Sequence, residues 1–217
     1  GDIMKYLTDK NIANNTIIIF MSDNSGLSLS GARGKIAHVQ NLPLRAGKGS
    51  MYEGGIRVPM IVKWSKVVKS NTSINQYVIA EDFFPSIIHM AGITNFKTIQ
   101  KVDGKSFVPL LKNNKITDTN RVLVWHYPNK WVDGDGPAIN YKSAIRQGSW
   151  KLIYDLRNGH KELYNLSYDI GEHFDLSMQQ PAKTKQLSLK LKEILEKNNA
   201  PMPSYKLNSK KVEILID

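Results

Sequence analysis

Residues 41–60 read NLPLRAGKGSMYEGGIRVPM, a glycine-rich segment that leads into an apolar run. Lys48 stands between two glycines, and a second glycine pair follows at positions 54 and 55. Flanking glycines let the backbone approach a ligand closely, so that one ammonium can point at it. Residues 56–64 predict a strand. The segment therefore predicts an anion-binding lysine loop that runs into a strand.

A second informative segment, residues 16–26, reads TIIIFMSDNSG. Residues 16–21 are apolar and rich in β-branched side chains, which favours a strand buried on both faces, as in a parallel sheet. Asp23 and Asn24 follow at the carboxyl end of this strand, where α/β sheets hold their ligands. Their oxygens suit calcium or magnesium, although the same residue types are also common in turns.

These two segments resemble the type I sulfatase family, in the half of the fold that follows the nucleophile. The resemblance implies that Asp23 and Asn24 supply two ligands to a divalent metal, usually calcium, and that Lys48 holds the sulfate. Ser25 departs from the family's usual glycine directly after the asparagine. Further stretches similar to the family cover nearly the whole chain: residues 82–92, 102–111, 148–154 and 162–166.

The nucleophile motif of that family is absent from this chain. A type I sulfatase attacks with a formylglycine made from Cys or Ser in a Cys/Ser-x-Pro/Ala-x-Arg motif. The chain has no cysteine, and Ser30-Gly-Ala-Arg33 is one residue too short for the serine version. We therefore interpret the chain as the C-terminal part of a longer enzyme, inactive alone, whose missing N-terminal part carries the formylglycine and further metal ligands.

Composition agrees with a globular protein that meets anions. The chain has 217 residues, 41% of them hydrophobic, which is enough for a core in one or two domains. No apolar run is as long as a membrane-spanning helix. The net charge of +11 attracts anions such as sulfated polysaccharide, nucleic acid or membrane headgroups. No nucleic-acid-binding motif accompanies this charge, and several lysines fall on one predicted helix as a solvated face.

The pattern of elements changes near residue 118. Residues 1–118 alternate helix and strand, whereas residues 119–217 contain four short strands, with a hairpin signal at Asn158 and Gly159. Pro181 begins a final amphipathic helix. The predicted fold class is α/β. By resemblance it is the C-terminal part of an alkaline-phosphatase-like sulfatase fold, with a small subdomain of antiparallel sheet plus helix.

Two further loops are candidates for a substrate pocket. Arg33 and His38 lie between the two motifs and could face an anionic sugar. His126 lies in an aromatic segment with Trp125 and Trp131, whose faces could stack on sugar rings while the histidine binds a sulfate or hydroxyl. The alternative is that the tryptophans pack the small sheet and that both histidines are structural.

The resemblance implies an enzyme that, when intact, hydrolyses a sulfate monoester with the help of calcium or magnesium. The expected partners are a sulfated small molecule or polysaccharide and the missing N-terminal part, and the expected location is periplasmic or secreted. Two alternatives stay open. One is a phosphonate or phosphate monoester hydrolase of the same superfamily, which the upstream nucleophile motif would identify. The other is a non-catalytic polyanion-binding module, which would bind without turnover.

Overall fold

The chain is organised as two compact units. The computed structural model describes residues 1–27, 40–93, 95–131, 138–206 and 209–216. The first unit comprises residues 1–21 and 60–119, and the second comprises residues 22–59 and 120–217. The lysine loop thus belongs to the same unit as the C-terminal sheet, whereas the sequence analysis grouped it with the preceding α/β part.

The elements follow the predicted order of mixed helix and strand, which confirms the α/β class. In chain order they are α1 (Asp2–Asp9), β1 (Ile17–Met21), α2 (Glu53–Ile56), β2 (Met60–Trp64), α3 (Phe83–Met90), α4 (Val108–Lys112), β3 (Val122–Tyr127), β4 (Lys142–Gln147), β5 (Trp150–Asp155), β6 (Lys161–Asn165) and α5 (Pro181–Lys197). No helix in the described ranges combines the length and apolarity needed to cross a bilayer.

In the first unit, β1 corrects one expectation. It pairs antiparallel with β2, not parallel, and Phe20 lies opposite Ile61. Both side chains are 64% exposed, so the strand is not buried on both faces within the described residues. Apolar composition indicates a strand but carries no information about the direction of its neighbour. β2 also begins later than expected, because residues 53–56 form the single turn of α2.

The stretch of residues 82–92 that is similar to the family contains helix α3. Asp82 accepts the Ile79 N–H at its N-terminal end, and Gly92 follows its C-terminal end with a positive φ of 81°. Ile87 on this helix is 54% exposed. The helix instead buries Ser86, whose hydroxyl accepts the Phe107 N–H at 2.9 Å and so turns this side inward.

The second unit contains the predicted antiparallel sheet. Its order is β3-β4-β5-β6, and every neighbouring pair is antiparallel. The hairpin between β5 and β6 turns at Gly159, which has a φ of 75°. Glycine adopts this angle with little strain, whereas residues with a Cβ do not. The register places Arg146 of β4 directly opposite Lys151 of β5, which matters for the site described below.

Both faces of this sheet are covered. One face packs against α5 through Leu187, Leu191 and Leu195, as the amphipathic pattern predicted. The other face packs against Met51 and Tyr52 of the lysine loop. Burial of one large apolar side chain is worth about 1.5–3 kcal/mol, so these contacts hold the loop firmly to the sheet.

Candidate functional site

The lysine loop, residues 45–56, is folded tightly on itself by its glycines. The Gly54 N–H donates to the Arg45 carbonyl at 2.9 Å, and a Cβ at Gly54 would lie only 2.3 Å from that oxygen. A Cβ at Gly55 would lie 2.1 Å from the Ser50 carbonyl oxygen. No larger residue fits at either place without moving the backbone, so the glycine pair is explained by close approach of the chain to itself.

Lys48 is half-buried on this loop, and its backbone is fixed. Its N–H donates to the Gly26 carbonyl at 2.7 Å, and it forms an isolated parallel bridge with Leu27. The Lys48 ammonium makes no hydrogen bond or ion pair with any residue in the described ranges. Glu53, the acidic residue of the same loop, is paired with Arg146 and Lys151 instead. The ammonium therefore has no carboxylate to neutralise it among these residues, as an anion-binding lysine requires.

Asp23 and Asn24 lie shortly before Gly26 and Leu27, the two residues that contact the backbone of Lys48. The Asn24 amide donates to the Asp23 carboxylate, and the Ser22 hydroxyl donates to the Asn24 carbonyl at 2.6 Å. Asp23 is exposed and Asn24 is partly exposed. Since Gly26 accepts the Lys48 N–H, the structure brings the predicted metal pair and the predicted sulfate lysine to neighbouring segments.

The side chain of Asn41 joins these two segments, a role that the sequence analysis missed. Its amide nitrogen donates to the Gly26 carbonyl at 3.1 Å and to the Ala46 carbonyl at 3.0 Å. Its amide oxygen accepts the Gly26 N–H at 3.1 Å. A single asparagine side chain thus links the backbones of two chain segments through hydrogen bonds. No local sequence signal distinguishes this asparagine from an ordinary loop residue.

The metal pair fits part of a cation site. Carboxylate and amide oxygens are the ligands that calcium and magnesium prefer, but these ions take about six to eight ligands. Among the described residues, no group of three or more His, Cys, Asp or Glu side chains is placed to hold a metal. Asp23 and Asn24 therefore suit a hard divalent cation in kind, and any further protein ligands would have to come from elsewhere.

An aromatic side chain lies against the lysine loop beside Lys48. Gly49 has a φ of 93°, and a Cβ placed on it would lie 1.8 Å from Cζ3 of Trp131. The backbone N–H of Trp131 donates to the Asn140 side-chain oxygen at 2.7 Å, and the residue is 40% exposed. The aromatic segment predicted for the substrate pocket thus contributes one partly exposed indole next to the lysine.

The other predicted pocket residues are placed differently. His126 lies on the face of the sheet that α5 covers, opposite the lysine loop. Its ring nitrogens contact the Ser143 hydroxyl and the Pro201 carbonyl, each at 2.7 Å. These contacts favour the structural alternative for His126, and its substrate role stays a prediction. Arg33 and His38 lie outside the described residues and stay predictions.

Beneath the loop lies a buried ionic cluster that the sequence analysis also missed. Glu53 accepts from Arg146 at 3.0 Å and from Lys151 at 3.0 Å, and Lys151 also pairs with Glu172 at 2.8 Å. Burial raises the pKa of Glu53, but Lys151 and Arg146 outweigh it and hold the pKa below its usual value. Burial is the main cause of the raised pKa of Glu172. The signal was the like-charge pair of Arg146 and Lys151, which is unfavourable across two strands unless a carboxylate compensates it.

Comparisons with known proteins agree with this geometry. Residues 46–200 match the family described as N-sulphoglucosamine sulphohydrolase, C-terminal. A sulfatase from Formosa agariphila is 35% identical over 98% of this chain and 40% of its own length. Steryl-sulfatase from Homo sapiens is 28% identical over 71% of this chain and 26% of its own length.

A solved structure gives the same result for the fold. The crystal structure of Ps i-CgsB in complex with k-i-k-neocarrahexaose superimposes with a TM-score of 0.72 at 29% identity. The match covers 93% of this chain and 41% of that protein. The chain thus spans less than half the length of each of these relatives. From the family match and the identity to the Formosa agariphila protein, we conclude that this chain belongs to the sulfatase family, with the alkaline-phosphatase-like α/β fold, and corresponds to its C-terminal portion.

Proposed function

We propose that the intact enzyme hydrolyses sulfate monoesters, and that this chain supplies the lysine that binds the sulfate and two ligands of a divalent metal. Family membership supports the class of reaction. The observation that carries the lysine's role is the Lys48 ammonium, which stands on a rigid loop with no acidic partner among the residues described.

The chemistry of the proposed site is electrostatic. A preorganised ammonium stabilises negative charge on the sulfate oxygens as the S–O bond breaks, without having to reorganise during the reaction. A metal held by Asp23 and Asn24 would supply Lewis-acid polarisation of the same group. The nucleophile, a formylglycine, would come from a part of the enzyme outside this chain. Within the chain, the rigid backbone contacts of Lys48 and Gly26 keep the lysine and the metal pair in register.

The proposed substrate is a sulfated carbohydrate. Trp131 exposes an aromatic surface beside Lys48, and such surfaces stack on sugar rings while the lysine would bind the sulfate. The bound hexaose of Ps i-CgsB supports this choice. A polysaccharide substrate fits a periplasmic or secreted enzyme. The relationship to steryl-sulfatase makes an apolar sulfate ester the alternative outcome of a substrate screen.

The role of Lys48 is tested in the full-length enzyme. Lys48→Ala should lower kcat by about 100- to 1000-fold, the usual cost of removing one preorganised donor to developing charge. Lys48→Arg should recover little, because a planar guanidinium is too large for a loop closed by glycines. Lys185→Ala, an equal charge change on an exposed part of α5, is the matched control and should leave kcat unchanged. A loss below about threefold for Lys48→Ala would contradict the role.

The metal proposal has its own measurement. Asp23→Ala and Asn24→Ala should each lower calcium affinity in the full-length enzyme, and activity should fall in parallel because the same ion polarises the sulfate. Titration calorimetry measures the affinity. Asp103→Ala, which removes an exposed carboxylate of the first unit, serves as the control. Unchanged calcium binding in both site variants would mean that the pair only forms a turn.

A further inference from the structure

Both ends of the lysine loop converge on one residue, Glu172, in the segment after β6. At the start of the loop, Arg45 Nη1 donates to the Glu172 carbonyl oxygen at 2.7 Å. At its end, the Glu53 N–H donates to Glu172 Oε2 at 2.6 Å. Glu172 is 0% exposed and has a φ of 52°. One residue therefore holds the two ends of the segment that carries Lys48.

The carboxylate of Glu172 is held in place by charge balance. Its Oε1 pairs with Lys151, which also pairs with Glu53, and Arg146 completes the coordination of Glu53. Two carboxylates and two cations thus neutralise one another where every member is at most 3% exposed. Removing one member leaves a buried charge without compensation, which is strongly unfavourable. This gives Glu172 a single favourable position.

The start of the loop is fixed on further sides. The Arg45 guanidinium lies over the ring of Tyr52 at 4.0 Å from its centroid, and it donates to the Tyr164 hydroxyl at 3.1 Å. A planar guanidinium can stack and donate at the same time, which an ammonium cannot do equally well. Arg45 therefore has little conformational freedom, and its hydrogen bond to Glu172 fixes the start of the loop.

We propose that Glu172 is a positioning residue, which sets the conformation of the lysine loop and through it the place of the Lys48 ammonium. Glu172 does not touch Lys48 and acts only through the loop backbone. What the ammonium binds rests on the proposed function. The effect on the loop itself does not, so the two can be tested separately.

The first test uses Glu172→Gln in the 217-residue chain. The substitution keeps the shape, but the amide offers one oxygen, which can face either the Glu53 N–H or Lys151 and not both. Amide hydrogen exchange should become about 10- to 100-fold faster at Lys48, Ser50 and Gly54, as expected for loss of a hydrogen bond to a charged group. Amides of β5 and β6 should change much less.

The matched control is Asp155→Asn. Asp155 is also a buried carboxylate of this unit with basic partners, but those partners are Lys142 and Arg157, which do not pair with the carboxylates beneath the lysine loop. In Asp155→Asn, the ratio of the exchange rates of the loop amides to those of the sheet amides should equal the wild-type ratio. The proposal is overturned if Glu172→Gln accelerates loop and sheet amides equally, or if Asp155→Asn accelerates the loop as much.

A second substitution tests the charge argument. In Glu172→Gln, the amide nitrogen is a donor that must face another donor, either the Glu53 N–H or the Lys151 ammonium. Adding Lys151→Met removes the ammonium and leaves Glu53 paired with Arg146, so the loop amides should regain most of their protection. Failure to regain any would overturn the assigned balance. If Glu172→Gln does not fold, Arg45→Met removes the other attachment without touching the buried carboxylates. It should accelerate the same loop amides selectively, and no selective effect would overturn the proposal.

The last test reads the effect through Lys48 in the full-length enzyme. Glu172→Gln should lower kcat for a sulfate ester by about tenfold or more when Lys48 is present, and by less than about twofold in the Lys48→Ala background. Additive effects would overturn action through Lys48. If the wild-type enzyme hydrolyses no sulfate ester, the proposed function fails, while hydrogen exchange still decides whether Glu172 holds the loop.

Discussion

Gly49 shows at the scale of one residue how the environment of Lys48 is built. Its φ of 93° is unfavourable for any residue with a Cβ, and the same Cβ would collide with the indole of Trp131. The two effects are separate: one concerns the backbone, and the other concerns packing of the aromatic side chain. Together they explain why a glycine follows the lysine, and they place an aromatic surface against the residue next to Lys48 in the chain.

Gly49→Ala should therefore destabilise the second unit more than a change at an ordinary left-handed glycine. Gly159 is the control, because its φ is 75° but its added Cβ would meet nothing closer than the flexible Leu215 side chain at 3.2 Å. Both variants should lose about 1–2 kcal/mol from backbone strain. Gly49→Ala should lose about 1–3 kcal/mol more from overpacking. Urea unfolding followed by tryptophan fluorescence measures both, and equal losses would show that Trp131 does not pack on Gly49.

At the scale of elements, the β4–β5 hairpin carries charge at both ends of one face. At one end, Arg146 and Lys151 face each other and require Glu53 between them. At the other end, Lys142 faces Asp155 directly. Burial raises the pKa of Asp155, but hydrogen bonds from Arg157 and Lys142 outweigh it and lower the pKa to about 2.

This low pKa predicts a defined loss of stability in acid. The unfolded-state pKa of an aspartate is about 3.9, so the stabilisation by Asp155 is complete above it and disappears as the pH falls from about 4 to about 2. Asp155→Asn lacks this contribution at every pH. Thermal melts at several pH values should show a wild-type advantage at pH 7 that shrinks across this window. A gap in melting temperature that stays constant from pH 7 to pH 2 would contradict the assignment.

Elements with local signals were predictable from the sequence, whereas contacts between distant segments were not. The strands β3 to β6, the turn at Gly159 and the helix from Pro181 follow from short-range periodicity and turn chemistry. The antiparallel pairing of β1 does not follow from such signals, because amino-acid composition carries no information about the direction of the neighbouring strand. The attachment of Arg45 to Glu172 joins residues far apart in sequence, and nothing near either residue indicates the other.

The same limit explains the candidate site. Asp23, Asn24 and Lys48 are predicted from motif and family resemblance, since each stands in a short pattern with a chemical meaning. His126 is predicted as a pocket residue because it lies in an aromatic segment with Trp125, but strand alternation sends neighbouring residues to opposite faces. Knowing the β3 pairing would have placed His126 away from the lysine loop. Asn41 and the buried carboxylates support the site from positions that carry no motif at all.

At the scale of the whole molecule, the two units differ in how well their apolar residues are covered. The hydrophobic clusters on both faces of the four-stranded sheet belong to the second unit. Among the described residues, the buried apolar side chains of the first unit are Pro85, Phe107, Val108 and Leu110 alone. Since buried apolar area supplies most of folding stability, the second unit should be the more stable of the two in this chain. The residues of the proposed site all lie in that unit.

The net charge acts over the entire surface and limits what a binding experiment can prove. With a charge of +11, the chain should bind sulfated polymers weakly and in a salt-dependent manner, whatever Lys48 does. Exposed lysines of α5, among them Lys185, contribute to this attraction. Binding of a polyanion is therefore expected under every hypothesis considered, and only turnover that depends on named residues separates a catalytic site from a basic surface.

The 217-residue chain purified alone should consequently be folded in its second unit and inactive. It contains no Cys/Ser-x-Pro/Ala-x-Arg motif from which a formylglycine could be made, and its described residues offer only two of the proposed metal ligands. Slow amide exchange in β4 and β5 would verify that the unit is folded, and release of p-nitrophenol from p-nitrophenyl sulfate would measure turnover. We expect protected amides and no release above the uncatalysed rate with or without calcium. Release that Lys48→Ala abolishes, while leaving the amides protected, would show that this chain holds a complete catalytic site and would refute the assignment of the nucleophile to another part of the enzyme.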